Sequence, residues 1–402
     1  MPERRIFLNL TALPQLELHQ GKIMNFESDS SGGSENKPAW YTPPIWLGMT
    51  LSGWIRMLVH NRFSVDVRHI PWTVLITLTA LLGAPINFLH DLRWAHRIRR
   101  TQIERPPLFV IGHWRSGTTW LHELLTLDES HTYPNTYQCF LPSHFLLTEH
   151  FDTHNLSLLF DAMLPKKRPF DNVKLGWIRP QEDEFALCNM GIPSPYQKIA
   201  FPRHDPYPEY FDLLDIPPSQ LKRWEEAFVR FLKQLTIRDP RRIILKSPTH
   251  TFRIKTLLKI FPDAKFVHIV RDPYITFYST LRMWKSLYET TGLQQLRDTD
   301  DLETYVFRNF VQMHERLDEA RPHFGPSSFH ELRYEDLVRD PVGQLRLLYS
   351  QLQLGDVDLV IPNLVRYLAE SADYKANKYQ ISDDSRKKIR QHWGKVIDKY
   401  GY

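Results

Sequence analysis

Residues 109–120 read FVIGHWRSGTTW, and no other stretch limits the fold as tightly. An apolar run closed by glycine is followed by small residues and hydroxyls. Trp120, Leu121, Leu124, Leu125 and Leu127 then recur at helical spacing, so the segment spells strand, loop, helix. Gly112 and Gly117 hold the first and sixth positions of the phosphate-binding loop GxxxxGK[ST], but Thr118 stands where that loop carries its lysine. A loop so placed turns the free N–H groups and dipole of a helix N-terminus on an anion. Arg115, Ser116, Thr118 and Thr119 add a cation and three hydroxyls, enough for one terminal phosphate without a metal.

A second unit lies in RRIILKSPTHTFRIKTLLKIFPDAKFVHIVRDP. Its strand RIIL, its helix carrying Ile254, Leu257, Leu258 and Phe261, and its strand KFVHIV form a βαβ unit, which packs as a right-handed parallel crossover. Helices follow over YITFYSTLRMWKSLYE and 301–320, a last strand in SSFHELRYEDL, and a basic amphipathic helix from 382. The expected fold is α/β: a P-loop-type doubly wound parallel sheet flanked by helices over 105–402, with ligands beyond the carboxyl ends of its strands. A mostly helical extension is expected over 41–104. The first 40 residues, which include ESDSSGGSENKP, read as a loosely held tail. At 402 residues and 42% hydrophobic content, the chain is long and apolar enough for a sizeable core.

Within the extension, residues 70–89 carry no charge over twenty residues, the length of a membrane span. Pro85, Asn87 and several threonines argue against a span, and DLRWAHRIRR follows at once. A buried helix plus hairpin and a membrane-surface anchor both rank ahead of it. Basic residues beside an apolar segment favour the cytoplasmic side. With Cys139 and Cys188 alone, no disulfide framework or cysteine metal site is expected. The N-terminus shows no secretory signal pattern. The localisation expected is cytoplasmic, with peripheral membrane contact. The 51 Lys+Arg against 46 Asp+Glu suit an anionic ligand. Nucleic acid is not expected, because Leu281, Trp284 and Leu287 make LRMWKSLYE a core-facing helix.

A metal-using triphosphatase needs an apolar strand ending in Asp for Mg²⁺. FVHIV ends instead in Arg271, so a second anion site fits better than a metal. The chain resembles the sulfotransferases that use 3′-phosphoadenosine 5′-phosphosulfate, over roughly 106–380. Their 5′-phosphosulfate loop [KR]-[ST]-G-T-T is similar to Arg115-Ser116-Gly117-Thr118-Thr119, followed by Trp120; their 3′-phosphate pair is similar to Arg271 and Ser279. LKSPTH and ELRYEDLVRDP, which holds Tyr334, resemble segments of a bacterial branch only loosely related to the cytosolic enzymes. YKANKYQIS departs from the cytosolic Arg-Lys-Gly signature, leaving Lys378 and Tyr379 as candidates to close over the adenosine. The resemblance implies a metal-independent, in-line sulfotransferase with this nucleotide as co-substrate.

Such a transfer builds charge on the bridging oxygen of the leaving phosphate, and Lys246 and Arg115 are the candidate cations. The acceptor hydroxyl, or amine, needs a general base. Glu182, Asp183 and Glu184 in RPQEDEFAL are favoured, and a helix N-terminal charge group is the competing reading of that cluster. His250 comes next, then His144; His113 is read as shaping the loop. A kinase-like phosphotransferase and a non-catalytic nucleotide-binding protein at a membrane surface stay open as alternatives. The acceptor is a carbohydrate, a lipid or a small alcohol.

Overall fold

A computed structural model describes residues 45–155, 176–296, 300–370 and 379–402. The tail expected over 1–40 and the candidate Lys378 lie outside them. The chain opens with α1 (Leu51–His60), α2 (Ile70–Arg100), β1 (Leu108–Ile111), α3 (Thr118–Leu125), β2 (His131–Thr132), α4 (Thr136–Phe140) and α5 (Phe145–Asn155). There follow α6 (Asp183–Asn189), α7 (Pro218–Arg238), β3 (Arg242–Lys246), α8 (Ile254–Ile260), β4 (Lys265–Val270), α9 (Pro273–Thr291) and α10 (Asp300–Ala320). Last come β5 (Phe329–Arg333), α11 (Tyr334–Arg339), α12 (Pro341–Leu352), α13 (Ile361–Glu370) and α14 (Asp383–Tyr400).

The five strands form one parallel sheet in the order β2-β3-β1-β4-β5. This is the doubly wound arrangement expected. The strand order reverses direction around β1 and β3, and a ligand crevice belongs beyond their carboxyl ends. β1 is buried at all four residues, as a central parallel strand covered on both faces must be. Alternate residues face opposite layers. Phe109, Ile111, Leu245 and Phe266 pack with Trp224, Phe228 and Phe231 of α7. Leu108, Val110, Ile244 and Val267 pack with Leu121 and Leu124 of α3 and Leu345 and Leu348 of α12. Each fully buried side chain of this size stabilises the fold by about 1.5–3 kcal/mol.

The helical extension sits on this core. Trp46, Trp54 and Met57 share an apolar cluster with Trp114, Phe277 and Trp284 of the sheet domain. α1 approaches the turn after α6 at backbone distance: a Cβ on Gly53 would fall 2.5 Å from Gly191 Cα. The Thr50 amide donates to the Asn189 carbonyl at 2.8 Å. The hairpin considered for residues 70–89 does not form, and the segment is not buried. α2 runs unbroken for 31 residues through Pro85, and much of its surface is exposed. The hydrogen bond that proline removes is offset by attachments on both sides of it. Thr77 accepts from the Trp54 indole at 2.9 Å, and beyond the proline Arg230 of α7 pairs with Asp91 at 2.5 Å.

Candidate active site

The loop between β1 and α3 turns through three residues of positive φ, Gly112 at 145°, Arg115 at 70° and Gly117 at 102°. Gly117 is required twice over. Its backbone suits glycine, and a Cβ there would meet the Tyr334 ring at 2.4 Å. Arg115 is held in its strained conformation by contacts at both ends. Its Nε donates to Ser279 Oγ at 2.9 Å, and its carbonyl accepts from Arg271 Nη1 at 3.2 Å. Arg271 lies over the Tyr334 ring, 4.3 Å from the centroid, and Trp120 meets that ring edge-on at 6.0 Å. Residues that follow three strands, β1, β4 and β5, thus converge around one loop, with two guanidiniums beside the N-terminus of α3. That set of donors suits two anionic groups on one ligand.

The other candidate residues fall into clear groups. Thr119 turns toward Lys246, whose Nζ donates to its hydroxyl at 3.4 Å. Ser116 spends its hydroxyl on the His113 carbonyl at 2.7 Å and, like Thr118, is buried within the loop. Tyr379 stacks with Tyr278, the neighbour of Ser279, at 6.3 Å. His113 Nδ1 donates to the Trp114 carbonyl at 2.8 Å, and burial pushes its pKa down to about 4.

Three consecutive acids at the start of α6 meet three cationic or basic side chains at and just after the carboxyl end of β3. Glu182 pairs with Lys246 at 2.6 Å, Asp183 with His250 at 2.7 Å, and Glu184 with Arg253 at 2.5 Å. Only the first pair opens toward the loop. Glu182 is the N-cap, with extended backbone, so its side chain leaves the helix. Its second oxygen accepts from the Tyr196 hydroxyl at 2.5 Å, which in turn accepts from the Trp114 indole at 3.1 Å. Burial, then the charge of Glu182, hold the Tyr196 pKa well above its ordinary value, so this hydroxyl stays a donor.

The candidate bases differ in what surrounds them. Asp183, Glu184 and His250 have no exposed side-chain surface. Glu184 takes both Arg253 nitrogens and the hydroxyls of Ser194 and Thr249. Burial opposes the charge on Asp183, but His250 and Ser247 outweigh it and lower its pKa. His250 lies edge-on to Phe109 beneath the sheet, at 5.2 Å. His144 bonds Thr148 one turn along its own segment, at 2.9 Å. All four are enclosed by partners within the fold. Glu182 alone of the three acids reaches the loop, through Lys246, and its hydrogen-bond partner Tyr196 carries no sequence motif. Phe140, Trp177, Phe185 and Tyr196 form a chain of edge-to-face rings beside Glu182.

A phosphate-type loop, two converging arginines and a lysine–carboxylate pair at the strand ends define a group transferase for an anionic nucleotide donor. The sulfotransferase family model matches residues 106–358, and the chain belongs to the sulfotransferase family. It is 45% identical over 363 residues to the omega-hydroxy-beta-dihydromenaquinone-9 sulfotransferase Stf3 of Mycobacterium tuberculosis, covering 90% of this chain and 92% of that protein. Among solved structures it is similar in fold to the sulfotransferase STF9 of Mycobacterium avium, with TM-score 0.61, 21% identity, and coverage of 86% of this chain and 91% of that one. It is also similar to STF1 of Mycobacterium tuberculosis, with TM-score 0.57, 18% identity, and coverage of 87% and 94%. The enzyme transfers a sulfuryl group, and its co-substrate is 3′-phosphoadenosine 5′-phosphosulfate. The phosphotransferase and non-catalytic alternatives are set aside.

Proposed function

We propose that the enzyme sulfates the hydroxyl of a long-chain, lipid-like alcohol, working from the cytoplasmic side at a membrane surface and without a metal. The observation that carries this reading is the 45% identity, over 90% of the chain, to a relative named for an omega-hydroxylated menaquinone acceptor. The ring chain Trp177–Phe140–Phe185–Tyr196 beside Glu182 agrees with it, because it offers an apolar body an aromatic path to a carboxylate. The two free, buried cysteines agree with a reducing compartment.

In the proposed step the acceptor oxygen bonds to sulfur as the bond from sulfur to the bridging phosphate oxygen breaks. Glu182 takes the hydroxyl proton. Lys246 and Arg115 balance the charge left on the departing phosphate. The 2.6 Å pairing of Lys246 with Glu182 gives this order a physical basis: a bound donor draws the ammonium to its own negative charge and frees the carboxylate for the acceptor. Arg271 and Ser279 hold the 3′-phosphate, with Tyr334 beneath the guanidinium and Tyr379 toward the adenosine.

The test is to incubate the purified full chain with the donor and, separately, an omega-hydroxylated polyprenyl quinone, a long-chain primary alcohol and an oligosaccharide, and to detect sulfated product by mass spectrometry. Turnover of the two lipid alcohols well above the oligosaccharide supports the reading. Preference for the oligosaccharide overturns it while leaving the sulfotransferase assignment intact.

A further inference from the structure

Every exposed residue of α2 from Ile70 to Leu89 is apolar. Exposed Val74, Leu78, Leu81, Pro85 and Phe88 recur every three or four residues down one side, with exposed Leu82 beside them. The stripe is about 30 Å long at the helical rise. The inward side carries Thr73, Thr77 and Thr79 among its residues, together with the buried Ile76, Ala80 and His90. This reverses the polarity of an ordinary surface helix, which turns its apolar face to the core. Ile55 and Val59 of α1, and Phe63 just after it, add further exposed apolar surface. An apolar surface of this extent marks a binding face.

Charge decides what covers it. Exposed Arg62 and Arg68 stand before the stripe, and exposed Arg93, Arg97, Arg99 and Arg100 stand after it. Arg93 and Arg97 also flank the Trp94 ring at 4.8 and 5.3 Å. Cations at both ends of an apolar stripe match anionic headgroups around an acyl layer. The helix does not cross that layer, because its inner side is fastened to the domain along its length. Thr77 bonds Trp54, Asp91 pairs with Arg230, and the Arg99 carbonyl accepts from Lys233 at 3.1 Å.

We infer that α2 lies in the plane of one leaflet of an anionic phospholipid bilayer, with its Ile70–Leu89 stripe among the acyl chains and its arginines on the phosphates. This orientation also brings the bilayer close to the site. α1 rests on Asn189 and Gly191, and the seven-residue α6 carries the chain about 10 Å from there back to Glu182. The use of the surface to deliver acceptor rests on the lipid-alcohol reading above; the contact itself rests on α2.

The test is co-sedimentation of the full chain with vesicles of phosphatidylcholine alone or mixed with phosphatidylglycerol. The wild type is compared with Leu78→Glu/Leu82→Glu and with Arg97→Glu/Arg100→Glu. Thermal stabilisation by 3′,5′-bisphosphoadenosine shows that each variant is folded. The expected result is binding to the mixed vesicles that falls about tenfold or more in the leucine variant, and a preference for phosphatidylglycerol that is lost in the arginine variant. Folded wild-type protein that ignores both vesicles, or binds them as the leucine variant does, overturns the inference. So does a dimer by light scattering that Leu78→Glu/Leu82→Glu converts to monomer, since the stripe then belongs to a second copy. Vesicle binding without sulfation of any lipid alcohol leaves the surface standing and removes the acceptor reading alone.

Discussion

Lys246 Nζ lies 2.6 Å from Glu182 Oε1, joining the carboxyl end of β3 to the N-cap of α6 at the mouth of the phosphate loop. In the proposed mechanism the cation for the leaving group and the base for the acceptor hold each other until substrates separate them. Glu182→Gln keeps the shape and the acceptor side of the Tyr196 hydrogen bond but removes the proton sink. It should lower kcat by about 10²–10⁴-fold while leaving bisphosphate-induced stabilisation close to wild type. Lys246→Ala should lower kcat by at least about 10²-fold. Initial rates at saturating donor, measured beside thermal shifts, check both.

The Glu184–Arg253 pair makes a contrasting prediction. Both side chains have no exposed surface, and Arg253 also donates to the Tyr210 carbonyl at 2.6 Å. Glu184→Gln leaves a buried guanidinium without its counter-charge and should destabilise the protein by about 3–5 kcal/mol. Replacing both, as Glu184→Leu with Arg253→Met, should recover part of that loss. Urea unfolding monitored by tryptophan fluorescence distinguishes the two outcomes, and folded Glu184→Gln should retain turnover.

These two acids are separated by one residue, and the difference between them shows where the sequence stops being readable. The strand–loop–helix at 109–120, the βαβ unit and the Arg271–Ser279 spacing are local patterns, so their positions follow from periodicity and motif. In EDE, all three carboxylates look alike. Which one reaches the site depends on the phase of α6 and on Lys246, His250 and Arg253, more than sixty residues away in the chain. Tyr196 escapes notice for the same reason. The two-residue β2 is too short to leave any periodicity. α2 shows the limit from another side. Its apolar composition was plain, but which face it turns outward is set by its docking on α1 and α7.

Arg271 tests the donor site. Its guanidinium is presented between the Arg115 carbonyl and the Tyr334 ring, poised for a phosphate. Hydrogen bonds to charged groups contribute about 1.5–3 kcal/mol each. Arg271→Ala should therefore weaken 3′,5′-bisphosphoadenosine by about tenfold or more while sparing AMP, which has no 3′-phosphate. Gly117→Ala, which drives a methyl into the Tyr334 ring, should weaken both nucleotides alike. Isothermal titration of the two ligands against the two variants resolves the pattern.

Acid should undo the loop before it unfolds the sheet. His113 is buried against Trp114, Phe310 and Trp393, and burial pushes its pKa down to about 4. His314 beside Phe310 is lowered further, by burial first and then by His268 and His113. An unfolded histidine titrates near pH ~6.5. Between about pH 6.5 and about pH 4 the unfolded chain therefore holds protons that the native chain refuses, and stability falls as pH falls through that window. The contribution of His113 alone is on the order of 3 kcal/mol at the acid end. Its carbonyl accepts from the Ser116 amide at 3.1 Å and from the Ser116 hydroxyl at 2.7 Å, so a charged ring pushing outward pulls the phosphate loop with it. Stabilisation by the bisphosphate should then decline across the same window. Urea midpoints taken at intervals from about pH 7 to about pH 4.5 should show a shallower slope in His113→Asn than in the wild type. An unchanged slope would assign the acid sensitivity to His314 and its neighbours instead.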